Sequence, residues 1–592
     1  MKTNIRIKGW KASEIIMLLY VTAVLAGLPL VVTDAYYYIN VDKYYFYCGA
    51  CVLLIPVLIL RAVKKPSIKN FFKNLSLAEK ALLAYWVISA LSTLLSQFRY
   101  ESFWGNEGRF SGLFLMTIYV IAYFVISRCY RPHPICIYAC MAAGCAVFAF
   151  GVTDFLSMDI FHFKEEILHN QIHMFMSTIG NINFYASYAG LVGAAAATIY
   201  ATWTKKPGTA VWFLLMTFSF VGIVVSNSDS VYLGLGALLG FLPLYLFKDR
   251  RGIRRYLMVV SSFLLALSFY KLCALRYADI IMEPSGFNGA VVSIGIFFKL
   301  SIAFWILTAI VYGVDYKLQR QNEEIGKKAK VIWGIFLLLA MAAVAGILID
   351  ANVLGHGGRY GSLRGMVEFN DHWGTNRGFA WRKAIENYKE FPLIRKIFGY
   401  GPETFGIISY FHNMPESKEF SGELFDNAHN EYLQFLITIG PAATAAYIGF
   451  LALSVRDMVK CHCSPYVLGM AFAVTGYAAQ AFVNINQPAS TPIMWTFLGM
   501  GIAECRRHML KKDEETSIED EEIQIKDQEQ LSEGDEIPVK GQEILSEGGE
   551  MPVNGQEILS EGDELSINGW EIPPVSEKIQ SEEEQISIDK KE

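Results

Sequence analysis

Charged side chains are scarce in this 592-residue chain: Asp, Glu, Lys and Arg make up 18% of it, whereas an ordinary soluble domain carries about a quarter. Hydrophobic residues make up 53% and the mean hydropathy is +0.31, which together exclude a soluble globular protein of this length. Cysteine supplies no framework. None of the ten Cys lies in the 79-residue polar segment 351–429, so that segment has no disulfide staple. Cys48-Gly-Ala-Cys51 has redox-motif spacing but no βαβ context, and Cys461-His462-Cys463 offers ligand types with no second half. Both read as structural. No carboxylate metal motif is present. The first apolar run lacks a clear small-residue cleavage site, so it reads as a retained signal anchor rather than a cleaved signal peptide.

What is present is a series of long apolar runs. Crossing a bilayer takes about 20 mostly apolar residues in a helix, because lipid cannot satisfy open backbone groups. Fourteen runs qualify: 13–33, 44–60, 78–96, 112–127, 134–154, 183–203, 210–226, 230–247, 256–272, 289–313, 330–350, 430–454, 466–483 and 489–505. Several are short, so the expected fold is an all-α polytopic transmembrane helix bundle of about 12–14 spans. It has one long extracytoplasmic loop and a disordered acidic tail.

The net charge of -5 averages two unlike parts. Residues 511–592 hold 26 acidic and 7 basic residues, a net of -19, and residues 1–510 hold 30 acidic and 44 basic ones, a net of +14. The bases of the body fall in short loops between apolar runs, which argues against nucleic-acid binding. Placing the N-terminus in the cytoplasm makes every inner loop basic, from Lys2–Lys11 through Lys248–Arg255 and Lys317–Lys330 to Arg506–Lys512. The short outer loops keep only Lys43, Arg99, Arg109, Lys164 and Arg276. By the positive-inside rule both termini are then cytoplasmic.

The expected domains are a polytopic membrane domain, 1–510, containing the large extracytoplasmic loop 351–429, and a cytoplasmic tail, 511–592. A loop this long between packed helices is a functional element or a small domain. Within it Trp381, Ala384, Ile385 and Tyr388 recur at helical spacing, and Pro392 and Gly399-Tyr400-Gly401-Pro402 close the helix. The tail repeats a 14-residue unit at 527–540, 541–554 and 555–568, each with Leu-Ser-Glu-Gly at the same offset. Such polar, Gly-punctuated repeats cannot bury a core, so the tail reads as a disordered spacer, open to a cytoplasmic partner.

Chemistry-bearing residues collect on the outer face. His429 lies where the long loop enters the next span, in Asp426-Asn427-Ala428-His429-Asn430-Glu431-Tyr432-Leu433-Gln434. Its side chain suits proton transfer near neutral pH; capping a helix is the other reading. Arg109 and Arg377 oppose the positive-inside trend, and a guanidinium suits phosphate oxygens, although each could form a surface ion pair. Lys299, mid-span in Phe297-Phe298-Lys299-Leu300, is a functional candidate because an intramembrane Lys is costly. His162, His169 and His173 in the loop 155–182 include an i,i+4 pair but no third metal ligand.

At four stretches the chain resembles the bacterial O-antigen ligase and O-antigen polymerase superfamily. They are Ser102-Phe-Trp104-Gly105 through Arg109 to Ser111-Gly112-Leu113; Gly180-Asn181-Ile182-Asn183-Phe184, with Ile182 in place of the family's Pro; Arg377 with Trp381 and then Phe398-Gly399-Tyr400-Gly401-Pro402-Glu403-Thr404-Phe405; and Asp426–Gln434. In the ligases a loop His is followed by Asn, Ser or Gln, nine residues, Gly, two residues, and Gly, Thr or Tyr. Here His429-Asn430 meets Gly440 at that spacing, while the last position is Ala443 with Thr444 beside it. The likeness covers roughly 13–505 and does not separate ligase from polymerase.

The resemblance implies a membrane glycosyltransferase of cell-surface polysaccharide biosynthesis in a bacterial cytoplasmic membrane. It would move a glycan from a polyprenyl-diphosphate-linked donor to a hydroxyl of a glycan, lipid or protein acceptor at the outer face. His429 would be catalytic, with Arg377, Arg109, Asn430, Trp381 and Lys299 as substrate contacts. No metal or cofactor is called for, and the partners are the lipid-linked donor, the acceptor and membrane lipids. The rival class is a transporter or flippase of lipid-linked sugars, against which stands the lack of an evident inverted repeat of broken helices. A chain truncated after Leu510 is expected to keep glycan transfer in a membrane assay; complete loss would make the tail, and a scaffold role, central.

Overall fold

The computed structural model describes residues 9–63, 67–106, 108–168, 171–320, 323–422 and 424–533. Among the described residues eleven helices are long and apolar enough to cross a membrane. In chain order the apolar helices are α1 (Ala12–Leu30), α2 (Ile39–Val63), α3 (Leu77–Leu95), α4 (Leu113–Cys129), α5 (Ile135–Phe155), α6 (Ile182–Thr202), α7 (Lys206–Val225), α8 (Ser230–Leu246), α9 (Arg250–Arg276), α10 (Ile296–Lys317) and α11 (Lys328–Asn352). Three further helices, α12 (Trp373–Glu390), α13 (Leu393–Phe398) and α14 (Phe405–Ser421), lie in the long loop. Then follow α15 (Glu431–Cys461), α16 (Pro465–Val483) and α17 (Thr491–Glu533). Each of the fourteen expected spans coincides with one of these helices. α4 and α8, of 17 residues, fall just short of the length criterion. The all-α polytopic bundle is thus the observed fold.

α6 sits at the centre, nearly all of its residues buried, against α7, α8 and α16. Its run of Gly193 and Ala194–Ala197 permits this close approach, since small side chains let helix backbones meet where lipid offers no hydrophobic drive. α10 and α11 are hardly buried by the protein, which leaves their apolar surfaces for lipid. The helix ends remote from the long loop are closed by ion pairs. The buried Glu79 meets Arg128 at 2.8 Å and Arg506 at 2.6 Å, Glu14 meets Arg131 and Arg507, and Asp315 joins Arg250 and Arg254.

The loop 351–429 has its own small core of Ala384, Phe391, Phe405, Ile408 and Ala428, completed by Ile437 of α15. The expected helix at 379–388 falls inside α12. Residues 511–533, expected to be disordered, continue α17. They contain no Gly or Pro and consist largely of good helix formers. The chain divides into the units Met1–Glu519 and Asp520–Glu592. The rest of the first 14-residue repeat and both later copies lie outside the described residues, as does His169. His162 Nδ1 lies 2.9 Å from Glu165.

α15 is bent at Gly440 (φ 83°, ψ 169°), followed by Pro441. A β-carbon at 440 would come 1.9 Å from the Ile397 carbonyl of α13, and this backbone conformation is essentially restricted to Gly. Gly440→Ala is expected to cost roughly 1–3 kcal/mol or more in detergent unfolding experiments. Gly449→Ala, at an open position of the same helix, should be neutral; equal melting of the two variants would contradict this account.

Candidate active site at one end of the bundle

The sequence around each candidate explains its placement. In the first stretch, Gly105 (φ 83°) and Gly112 pack backbone against backbone and pinch off the loop that carries Arg109. In the third, Gly399 and Gly401 have positive φ. The Gly401 N–H donates to the Thr438 carbonyl at 2.8 Å, and Ser96 Oγ donates to the Tyr400 carbonyl. The turn is thereby seated between α3 and α15 and delivers Glu403, which is buried at φ 61°. Before Arg377, Gly374, Thr375 and Asn376 form a left-handed turn, and Arg377 and Trp381 follow on one face of α12 at i,i+4.

In the fourth stretch almost every polar side chain is committed to the scaffold. Asp426 accepts two hydrogen bonds from Arg109, Nε at 2.8 Å and Nη2 at 2.7 Å. Asn427 Oδ1 accepts from the His429 N–H at 2.8 Å. Asn430 caps α15, accepting from Tyr432 N and Leu433 N. Glu431 accepts from Tyr447 and Tyr477 hydroxyls. Gln434 Oε1 accepts from Ala428 N, and the Ala428 carbonyl accepts from Trp381 Nε1 at 2.8 Å. His429 itself is left-handed (φ 49°) and half-buried, and its ring nitrogens make no protein hydrogen bond among the described residues.

Arg109 and Asp426 are thus paired, and both, with Arg377, act electrostatically on the His429 ring. The His429 ring has its proton affinity lowered to about 3, first by loss of water around it and then by the Arg109 and Arg377 charges, with Asp426 opposing. It is neutral at physiological pH and able to accept a proton. The charge of the half-buried Arg377 is partly offset by Asp229, and its Nη1 donates to the Gly374 carbonyl at 3.0 Å. Burial raises Glu403 to about 7, against the pull of Arg109. Buried polar groups are nearly always paired, yet Arg109 Nη1, Arg377 Nε and Glu403 Oε1 have no partner among the described residues. Two unpaired guanidinium N–H groups beside a neutral imidazole suit an anion and a hydroxyl nucleophile.

The remaining candidates are placed differently. Asn430 is a helix cap whose Oδ1 is already occupied. The Trp381 ring packs by Trp373 and Phe482, centroids 5.1 and 5.7 Å away, and supports the His429 loop through Ala428. Lys299 is not mid-span: α10 starts at Ile296, so Lys299 lies exposed in its first turn, and among the described residues it contacts none of these groups. The lysine resides at a helix end, where a long side chain reaches the interface without being buried. Asp426, Glu403 and Asp229 were not singled out from sequence. The first two lie within the resembling stretches, where a carboxylate aligned with Arg109 was the available signal; Asp229 carries no signal in sequence.

Fold and site define a polytopic membrane protein with a charged site on one end of its helix bundle. Residues 212–448 match the family model described as O-antigen ligase, so this segment of the chain is similar to that family. The matched segment contains Asp229, Arg377, Glu403 and His429; Arg109 precedes it. No curated protein matches the chain. The match supports a membrane glycan-transfer role in general and, with the helices, a multi-pass bacterial membrane protein.

Glu403, raised from 4.5 to about 7, contributes stability that is complete below pH 4.5 and lost as pH rises through 7. Glu403→Gln is therefore expected to gain stability relative to the unsubstituted chain between pH 4.5 and 7. Melting curves that shift in parallel over that window would refute the buried-carboxyl account. His429 is common to both proteins and cancels from the difference.

Proposed function

We propose that the chain transfers a glycan from a polyprenyl-diphosphate-linked donor to an acceptor hydroxyl at the outer face of the cytoplasmic membrane. The electrostatic action of Arg109 and Arg377, each with an unpaired buried N–H, on the neutral His429 carries this reading. The guanidinium groups bind the donor diphosphate. The acceptor hydroxyl attacks the anomeric carbon, giving its proton to His429, and the sugar–diphosphate bond breaks with its electrons leaving on the phosphate oxygen. A single displacement inverts the anomeric centre.

The depressed proton affinity of His429 belongs to this cycle. Loss of water, together with two cations that Asp426 and Asp229 balance only in part, holds the ring neutral before the donor arrives, and the bound diphosphate cancels much of their charge. The base then strengthens when the leaving group is in place, a reciprocal coupling between anion and proton. Asp426 aligns Arg109, and Trp381 supports the His429 loop. The outer placement follows from the basic loops at the opposite end. Ligase and polymerase share these steps and differ in the acceptor, whether glycan, lipid or protein.

In membranes supplied with labelled lipid-linked glycan, His429→Ala is expected to lower transfer by about 10²–10⁴-fold and Arg377→Ala by about 10²–10³-fold. Unchanged transfer in both variants would remove the site assignment. Product formed in detergent, where no two compartments exist, separates transfer from transport.

A further inference from the structure

Three thiols that the glycan site does not use meet at the opposite, basic end of the bundle. Cys461 ends α15, Cys463 lies in the turn before α16, and Cys505 comes from α17. Their sulfur atoms lie within 4.8 Å of one another. The sequence showed a Cys-His-Cys with no second half; the fold supplies the missing ligand from a helix far along the chain. His462 gathers the pair. It is left-handed (φ 36°, ψ 32°), and its N–H closes on the Met458 carbonyl, so the chain reverses between the two cysteines. Its own ring is held off, with Nδ1 on the Lys460 carbonyl at 2.7 Å. Cys505 is buried and the other two are half-buried, shielded yet within reach of solvent.

This arrangement fits a soft cation. Thiolate sulfur binds d10 ions at about 2.3 Å, which places sulfur atoms about 3.8–4.0 Å apart around a tetrahedral or trigonal centre. The three sulfurs need to close by only a fraction of their present separation. A disulfide answers the geometry less well, because it leaves one thiol over and needs an oxidant. The charge pattern also places this end in the cytoplasm, where thiols stay reduced.

We propose that Cys461, Cys463 and Cys505 form a three-thiolate site for one thiophilic d10 ion, Zn²⁺ or Cu⁺. Binding exchanges three thiol protons for the ion. Zn²⁺ completes four-coordination with a water, while Cu⁺ is satisfied by the three sulfurs. The ion clamps the turn between α15 and α16 to α17. It thus fixes the inner end of the helix whose outer end carries Asn430 and, one residue before it, His429.

The test reads metal rather than glycan, so its outcome is independent of the transfer proposal. The full chain, purified in detergent with a non-chelating reductant and stripped with a chelator, is titrated in two arms. One uses Co²⁺, followed by its thiolate charge-transfer absorption and displaced by Zn²⁺; the other uses Cu⁺ delivered from a coloured chelator. The expected result is about one ion per chain in at least one arm, the tighter arm identifying the ion. Cys463→Ser and Cys505→Ala should each weaken binding by about 10-fold or more, and Cys145→Ser should leave it unchanged. Gel filtration of each variant separates lost ligation from lost folding. No stoichiometric ion in either arm with the intact, monodisperse chain overturns the proposal, as does undiminished binding in folded Cys463→Ser and Cys505→Ala.

Discussion

The half of the bundle that carries the long loop depends on what becomes of one carbonyl, that of Thr438. Gly440 and Pro441 interrupt α15, and the helix carbonyls just before the break lose their usual partners. In or near lipid no water repairs such a loss, so the protein must. The Thr438 oxygen accepts from the Gly401 N–H at 2.8 Å and from Ser92 Oγ at 3.1 Å. Three parts of the chain are joined there: a membrane helix, the polar loop and the end of α3. Gly399 and Gly440 let the backbones approach closely enough, since a side chain at either would strike a carbonyl. Each position in the Gly-Tyr-Gly-Pro turn and in the kink therefore answers to the same contact, and the site residues that follow inherit their positions from it.

On that frame the polar residues divide into those that build and those left over. Asp426, Asn427, Asn430 and Glu431 spend their hydrogen bonds on the scaffold, as does the Gln434 Oε1, while the Gln434 Nε2 has no partner among the described residues. The His429 ring does not, nor do one nitrogen of Arg109 and one of Arg377. A desolvated site with two cations, facing carboxylates that only partly balance them, holds a histidine neutral and attracts an anion. The same low-water surroundings that make an unpaired charge costly make its interaction with a ligand strong. The buried Glu403, with a proton affinity near neutrality, stands beside this charge array as a second titratable group.

The basic residues that orient the chain also stabilise it. Arg128, Arg131, Arg506 and Arg507 close on Glu79 and Glu14 and tie α1 and α3 to α17. Of the outer exceptions, Lys43 donates to the carbonyls of Leu28, Pro29 and Val31 at the end of α1, and Lys164 pairs with Asp154. These two are structural. Arg109 differs because its pairing with Asp426 leaves a donor over.

Much of this was legible in the chain itself. Helix number and span positions follow from runs of apolar residues because the bilayer imposes a length on any helix that crosses it. His429, Arg377 and Arg109 stood out because polar and cationic residues on the outer face need a reason. Periodicity also marked the helix around Trp381. Tertiary structure alone decided the rest. Lys299 read as mid-span because apolarity does not say where a helix begins, and the observed start at Ile296 moves it to an end. Asn430 read as a substrate contact until the cap showed its oxygen in use. The meeting of Glu403 and Asp426 with Arg109, and of Cys505 with Cys461 and Cys463, brings together residues distant in sequence. Composition and spacing carry the constraints of the solvent on each segment, whereas contacts between segments exist only once the helices pack.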